Sequence, residues 1–460
     1  MLYILIWLIV LAISVSLFKK VSGSLSILQP NLNSIIFYYS LFFSSFIGSL
    51  LIVLDVDDYY MINKLTDDNY RLIGFLVICF TMVFLPLTMY ILSKLVGFDA
   101  KVEYQSYLKK PVETIFNVKT EFYFLFAGLS AVSMLACAYT LLKTGQIPLV
   151  ELLTNPSADL GKLRIDAARH FNGNVLIRNI FAIALTPLLS LIAYVYSVKT
   201  NMTRWKILFL GLFACSVVIS IYDLAKSPIF FYVIMFLLVR IYIGKTKFTP
   251  LKIFVLGTLG ASLLVVMYVF IQDVTNLESY LSYNSGPIGR VIFAQIAPTF
   301  LHLNIFGDAL PFLNGRGLPS VFLDLFGVEQ VRSARLVMEV AFPQRIEEGT
   351  GGVLNTLYVA EAYANFGYVG IVIGTIYIGL IIQVLYIAFL RLPKNPVFIS
   401  LFIYFSINIP RTLVGGFTDF LFNIIWFIVV FLMVGMILFI RFRIDLFSLF
   451  RNRKLRENVK

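Results

Sequence analysis

The sequence predicts an all-α polytopic integral membrane protein with about eleven transmembrane helices and two large structured outer loops. Three observations support this fold class. Of the 460 residues, 59% are apolar and 13% are charged, whereas an ordinary soluble domain carries about a quarter charged residues. The mean hydropathy is +0.88. The apolar residues form continuous runs of about 20 residues, the length with which a helix crosses a bilayer. A single water-soluble domain is therefore excluded.

Eleven apolar segments are assigned as helices in this interpretation. Three of them, 207–222, 229–244 and 396–409, have sixteen or fewer residues, too few for a hydrocarbon core of about 30 Å at about 1.5 Å per residue. We expect these three to be broken or re-entrant. The other segments are 2–18, 34–54, 72–93, 122–142, 177–198, 251–271, 367–390 and 420–440.

The turn Asp223-Leu-Ala-Lys-Ser-Pro228 joins two of the short segments. It would lie below the membrane surface, where charged residues need protein or water around them. The sequence therefore predicts a cavity at this turn that opens to the outside.

The basic residues set the predicted orientation. With the carboxyl terminus inside, 23 of the 37 Lys and Arg residues lie on the inner side and 14 on the outer side. The first apolar run has no basic segment before it and no small-residue cleavage site after it, so we interpret it as a retained helix. The protein is thus expected to be a multi-pass membrane protein whose amino terminus also lies outside.

The predicted organisation alternates helices with loops. The second outer loop exceeds any ordinary connection, which indicates folded structure; we expect short interfacial helices at 291–306 and 318–328, or loop residues that simply cover the helix bundle. The units are helices 1–4 (1–142), the first large outer loop (143–176), helices 5–8 (177–271), the second large outer loop (272–355), helices 9–11 (356–440) and a basic cytoplasmic tail (441–460).

Arginine is concentrated on the outer side, where positive charge is disfavoured. The outer basic residues are 10 Arg and 4 Lys, whereas the inner ones are 8 Arg and 15 Lys. A guanidinium group presents paired N–H donors to phosphate oxygens and keeps its proton near a dry bilayer. The pattern favours an anionic phosphorylated ligand at the outer leaflet. The alternative is that these arginines pair with acidic residues of the same loops or with lipid head groups.

Three stretches resemble the Wzy-type O-antigen (oligosaccharide repeat unit) polymerases of bacterial envelopes. The first is Gly145-Gln-Ile-Pro-Leu-Val150 with Arg164, Arg169 and Phe171-Asn-Gly-Asn174 after it. The second is Ala225-Lys-Ser-Pro228. The third is Gly351-Gly352 with Glu361-Ala-Tyr-Ala-Asn-Phe-Gly-Tyr-Val-Gly370.

The resemblance implies a glycosyltransferase of type-C-like fold that polymerises lipopolysaccharide or related surface polysaccharide. The substrates would be oligosaccharides linked to undecaprenyl pyrophosphate, joined by an inverting, metal-independent transfer at the outer face, without a cofactor. A chain-length regulator and a flippase are expected partners besides membrane lipids, and no role in nucleic-acid binding is expected.

Site residues follow from the resemblance and from charge. Preplaced guanidinium groups would stabilise the charge that develops on the leaving pyrophosphate, and a carboxylate would take the proton of the attacking hydroxyl. Asp324 and His302 are weaker candidates for this base than Glu361 and Glu339. The predicted pyrophosphate ligands are Arg164, Arg169, Arg290, Arg316 and Arg335.

Three alternatives stay open. An envelope ligase would use the same donor but pass the glycan to a lipid core. A transporter of lipid-linked sugars would show inverted repeats and mid-membrane charges, and neither pattern is seen. The acidic run Asp55-Val-Asp-Asp58 could hold a divalent cation or be a solvated turn.

Overall fold

The computed structural model describes residues 1–114, 120–155, 163–164, 166–167, 171–272, 282–284, 286–416 and 423–457. Within these ranges the ordered elements are helices, and the only strand-like pairing is an isolated bridge between Phe306 and Leu310. The predicted all-α architecture is therefore confirmed.

Each of the eleven predicted apolar segments coincides with a helix, except that residues 420–422 of the last segment lie outside the described residues. In chain order these are α1 (Leu2–Ser22), α2 (Leu32–Val53), α3 (Asn69–Leu95), α4 (Thr120–Lys143), α5 (Ile177–Thr200), α6 (Thr203–Ile221), α7 (Lys226–Tyr242), α8 (Pro250–Gln272), α9 (Tyr358–Arg391), α10 (Pro396–Thr412) and α11 (Ile424–Glu457).

Eight helices in the described part of the chain, α1 to α6, α9 and α11, are long and apolar enough to cross a membrane. The protein is therefore a polytopic membrane protein. Helices α7 and α10 have 17 residues each, which matches their predicted shortness. The prediction for 207–222 was wrong, because α6 extends to 19 residues by starting at Thr203 and is long enough to cross. The count of eleven spans stays a prediction.

Shorter helices fill the connections. The amphipathic helix Ala100–Lys109 after α3 was not predicted. The others are Ile62–Lys64, Pro148–Thr154, Gly286–Ile292, Ala297–Ile305, Ser320–Leu323, Asp324–Phe326, Ser333–Ala341 and Pro343–Glu347.

Hydrogen bonds gather the large connections at one end of the bundle, which we call the loop end. The amide of Leu149 in the 143–176 connection donates to Tyr222 O at 3.1 Å. The start of α9 reaches the end of α10 through Tyr358 N, which donates to Leu413 O at 2.8 Å. The two loops predicted to share a side therefore do so, together with the 222–225 turn.

The short connections meet at the opposite end, which we call the hairpin end. Arg391 forms an ion pair with Glu103 at 2.7 Å, and the Tyr242 hydroxyl donates to Pro30 O at 3.2 Å. The side chain of Lys394 is 1% exposed and donates to Tyr107 O at 2.7 Å. The connections after α1, α3, α7 and α9 therefore lie together at this end.

The helix Ala297–Ile305 lies inside the protein. All nine of its residues are buried, and it packs against α3, α9 and the helix Ser333–Ala341. This part of the 291–306 segment therefore does not lie flat at a membrane interface, in contrast to the prediction. An enclosed helix is also apolar on every side, so composition alone did not separate the two arrangements.

Helix α9 is broken near its start. Phe366 (φ −139°, ψ 18°) and Gly367 (φ 62°, ψ −151°) leave the helical conformation, and glycine adopts this second conformation without the strain of a side chain. Gly370 then packs directly against the carbonyl of Ala362, where a Cβ would not fit. We expected the helix to begin near Phe366, but it begins eight residues earlier, so Glu361 lies on a short helical turn before the break.

Candidate functional site

A cavity of about 810 Å³ opens at the loop end between α2, α5, α7, α10 and α11. Its wall includes Tyr222, Asp223, Ser227 and Pro228 from the turn between α6 and α7. A cavity was predicted at this turn, and it is present. Tyr39 and Asn179 face it from stretches of π-helix, 36–46 in α2 and 177–185 in α5; π-helical turns often occur at functional sites.

The cavity wall is polar where the helices approach the loops. Amide side chains come from five separate segments, and a carboxylate comes from Asp223, whose Oδ1 accepts from Ala225 N at 3.0 Å. Amides and a carboxylate suit a ligand with many hydroxyl groups. The five amide residues are Asn179, Gln295, Asn355, Asn408 and Asn423.

Arg411 projects into this cavity from the end of α10. Its guanidinium carbon lies 4.5 Å from the centroid of the Phe231 ring, and Nη1 donates to Asn408 Oδ1 at 3.3 Å. Within the described residues it forms no ion pair. Because an arginine keeps its charge even in apolar surroundings, Arg411 provides a positive charge inside the cavity.

A group of cations lies beside the cavity at Lys226, the residue before Ser227 and Pro228. The pKa of Lys226 is lowered to about 8, first by burial and then by the positive charges of Arg164 and Arg290. These three residues, which we call the cation cluster, come from the first outer loop, the α6–α7 turn and the second outer loop. The charge pattern predicted that Arg164 and Arg290 share an anionic ligand; both act electrostatically on Lys226, and their role as pyrophosphate ligands stays a prediction.

The cation cluster continues towards Tyr59. The positive charges of Arg290 and Arg345 lower the pKa of the Tyr59 hydroxyl. Burial has the larger effect, so the pKa of Tyr59 is raised overall. The guanidinium carbon of Arg345 lies 5.4 Å from the Tyr60 ring centroid and 5.2 Å from that of Phe342. Like charges gathered in this way repel one another, so a bound anion would stabilise the arrangement.

Glu361 lies next to the segment that closes the cavity. Its carboxylate packs against Gly416, which has no room for a Cβ there, and Gly415 lines the cavity. The backbone carbonyl of Glu361 accepts from Asn365 Nδ2 at 2.9 Å. The break after Asn365 therefore holds Glu361 at the junction between the second outer loop and the cavity.

Arg335 and Glu339 are paired with each other. Arg335 Nε donates to Glu339 Oε1 at 2.8 Å, one helical turn away. Arg335 Nη1 also lies 3.3 Å from the carbonyls of Gly351 and Gly352. Arg335 thus pairs with an acidic residue of its own loop, as the alternative interpretation of the outer arginines had it. It also holds Gly351 and Gly352 of the third motif in place.

Arg316 lies on a segment that docks onto the start of α9. Leu313 N donates to Ala364 O at 2.9 Å, and Gly317 N donates to Asn365 Oδ1 at 3.1 Å. The Arg316 side chain is exposed, and its Nε donates to Leu313 O at 3.4 Å. The structure thus places Arg316 next to the α9 break and does not join it to the cation cluster.

Three further predicted candidates have different surroundings. Arg169 lies outside the described residues. Asp324 is exposed on the short helix Asp324–Phe326. His302 is 1% exposed, with Nδ1 2.7 Å from Pro298 O and Nε2 3.3 Å from Ser333 Oγ, and burial lowers its pKa to about 4. An imidazole with so low a pKa is a weak base, and its enclosure keeps it from a substrate hydroxyl, so His302 is poorly suited to act as the general base.

The acidic turn Asp55–Asp58 is organised by an arginine. Arg71 Nη1 lies 2.6 Å from the fully buried Asp57 carboxylate, and Nη2 lies 3.1 Å from Asp55. Asp68 completes the group at 3.4 Å. These carboxylates therefore face a guanidinium group, and no cluster suited to a metal occurs among the described residues.

Residues 333–444 match the family model of the O-antigen polysaccharide polymerase Wzy. This match covers about a quarter of the chain and includes Arg335, Glu339, the α9 break and Arg411. It supports the predicted resemblance to the Wzy-type family, and with the apolar helices it indicates a membrane protein of polysaccharide biosynthesis. Neither a curated protein nor a solved structure matches the chain.

Proposed function

We propose, from the Wzy-type match together with the cation cluster, that this protein joins oligosaccharide repeat units linked to undecaprenyl pyrophosphate into a surface polysaccharide. The reaction would take place at the outer face of the bacterial inner membrane, with the loop end in the periplasm. The single observation that carries the proposal is the convergence of Arg164, Lys226 and Arg290 beside a polar cavity of about 810 Å³.

The cation cluster stabilises the leaving group. When the bond between the anomeric carbon and the pyrophosphate oxygen breaks, its electron pair remains on that oxygen. Positive charges already in place lower the energy of this developing charge without reorganisation. Because the guanidinium groups and Lys226 supply this charge, the transfer requires no metal ion. Arg169 and Arg316 stay predicted pyrophosphate ligands, although Arg316 lies beside the α9 break and apart from the cation cluster.

The acceptor sugar occupies the polar cavity. Its hydroxyl oxygen bonds to the anomeric carbon from the face opposite the leaving group, which inverts the configuration, and its proton passes to the Glu361 carboxylate. Glu361 is favoured over Glu339 because its carboxylate packs against Gly416, next to Gly415 of the cavity wall. Arg335 and Glu339 then position the Gly351–Gly352 segment between the second outer loop and α9.

Purified full-length protein in lipid nanodiscs tests this proposal with a synthetic undecaprenyl-pyrophosphate repeat as the substrate. We expect a ladder of products differing by one repeat, formed equally with and without a metal chelator. Glu361→Gln should abolish the ladder, whereas Asp324→Asn, a matched change at an exposed carboxylate of the second outer loop, should preserve it. Transfer of a single glycan to an added lipid core, without a ladder, would instead identify a ligase and contradict polymerisation.

A further inference from the structure

A second concave site lies at the hairpin end, away from the cavity. It is a cleft of about 660 Å³ between the ends of α1 and α3 and the start of the helix Ala100–Lys109. Its wall carries four lysines and a single carboxylate, that of Asp99. The four residues, which we call the lysine cleft, are Lys19, Lys20, Lys94 and Lys101.

The four positive charges of the lysine cleft are not neutralised within the protein. None of the four lysines forms an ion pair among the described residues. The Asp99 carboxylate accepts from Val102 N at 3.0 Å and so caps the following helix. Lys20 Nζ lies 5.1 Å and Lys94 Nζ 5.6 Å from the centroid of the same Tyr90 ring. The cleft is therefore positively charged and partly aromatic.

Helix dipoles explain only part of this arrangement. Lys19, Lys20 and Lys94 occupy the last turns of their helices, where a cation is favourable. Lys101 lies instead in the first turn of the helix Ala100–Lys109, where a cation is unfavourable. Gly23 packs directly against the backbone of Ala100, which holds this helix start against the end of α1. This contact places Lys101 among the other lysines although its charge interacts unfavourably with the helix dipole.

Apolar side chains lead from the lysine cleft along the two helices. Ile13 on α1 is 43% exposed, and it lies on the same helical face as Lys20, seven residues later. Ile91 on α3 is 51% exposed and one turn from Lys94, and Leu95 is 79% exposed. In a membrane these side chains face acyl chains, so the cleft lies where a lipid head group meets its tails.

We propose that the lysine cleft binds the head group of an anionic glycerophospholipid of the inner leaflet. The phosphate oxygens would accept from Lys20, Lys94 and Lys101, and the acyl chains would follow Ile91 and Leu95 into the bilayer. Basic pockets between transmembrane helices on the cytoplasmic side recognise such head groups. This site is distinct from the proposed glycosyl-transfer site and does not depend on the chemistry there.

Native mass spectrometry of the full-length protein with a diacyl anionic phospholipid tests this proposal. Each lysine near an anionic head group contributes about fivefold to binding, so we expect Lys20→Gln with Lys94→Gln to weaken binding by about 25-fold. Lys20→Arg with Lys94→Arg keeps both charges and should bind as the wild type does. The matched control is Lys206→Gln with Lys245→Gln, two exposed lysines of the same end outside the cleft, which should change binding less than twofold.

Three results would overturn the proposal. Equal weakening in the cleft variant and the control would indicate general attraction to net charge. Equal retention of a zwitterionic phospholipid would show that the phosphate charge is not what the cleft recognises. Competition by inorganic phosphate at millimolar concentration that displaces the lipid fully would assign the cleft to a free phosphate ion instead.

Discussion

The fall of kcat/KM at alkaline pH should result from deprotonation of Lys226. In the free protein its pKa is lowered to about 8 by burial and by Arg164 and Arg290, and only the protonated amine can help to hold a pyrophosphate. Since kcat/KM reports titrations of the free enzyme, a pKa of about 8 leaves about 90% of Lys226 charged at pH 7 and about 10% at pH 9. We expect kcat/KM in the nanodisc assay to fall about tenfold between these pH values.

The variant Lys226→Arg separates this cause from others, because a guanidinium keeps its proton throughout the range. Its kcat/KM should be nearly equal at pH 7 and pH 9, although the different geometry lowers its absolute rate. Lys247→Arg, at an exposed residue of the hairpin end, is the control and should retain the wild-type profile. If Lys226→Arg still loses tenfold at pH 9, Lys226 is not the titrating group and the role assigned to the cation cluster is refuted.

Three further predictions concern stability, measured as the melting temperature in detergent. Gly367→Ala forces a side chain into a positive-φ conformation (φ 62°), which should lower the free energy of unfolding by about 1–3 kcal/mol. Gly128→Ala, in open space on α4, is the control and should cost no stability. Equal melting temperatures of the two variants would contradict the strain assigned to the break. His302 has a pKa of about 4 when buried, below the pKa of an unfolded histidine, so the wild type should lose stability as the pH falls from 6.5 towards 4. His302→Gln should lose less stability over this range. Equal falls in the melting temperatures of the wild type and the variant would contradict this. Lys394→Met removes the donor to the carbonyls of residues 107, 108 and 110, which should lower the free energy of unfolding by at least about 2 kcal/mol. Lys247→Met is the control, and equal melting temperatures of the two variants would contradict this prediction.

Hydropathy predicted the helices well because a span needs a continuous apolar run, whatever its partners. Within the described residues all eleven predicted segments coincide with helices, and the short turn at Asp223 does border a cavity. The helix Ala100–Lys109 was missed because it contains no continuous apolar run, although it buries Tyr104 and Tyr107 in the core. The buried position of Ala297–Ile305 depends on which helices pack around it, which hydropathy does not contain.

The site was predicted less completely, since convergence is a property of the folded chain. The charge pattern identified Arg164 and Arg290, which the structure brings to Lys226. Arg335 and Glu339 are four residues apart on a helix, a spacing that already favoured an ion pair. Arg411 was overlooked, although an arginine directly after Pro410 at the end of an apolar run is a signal of function.

The most direct test of the central claim is a cryo-electron microscopy structure of the full-length protein in nanodiscs with undecaprenyl pyrophosphate. We expect the phosphates to lie within hydrogen-bonding distance of Lys226 and Arg290, beside the polar cavity. Phosphates bound elsewhere, with Lys226 and Arg290 directed away from them into solvent, would contradict it.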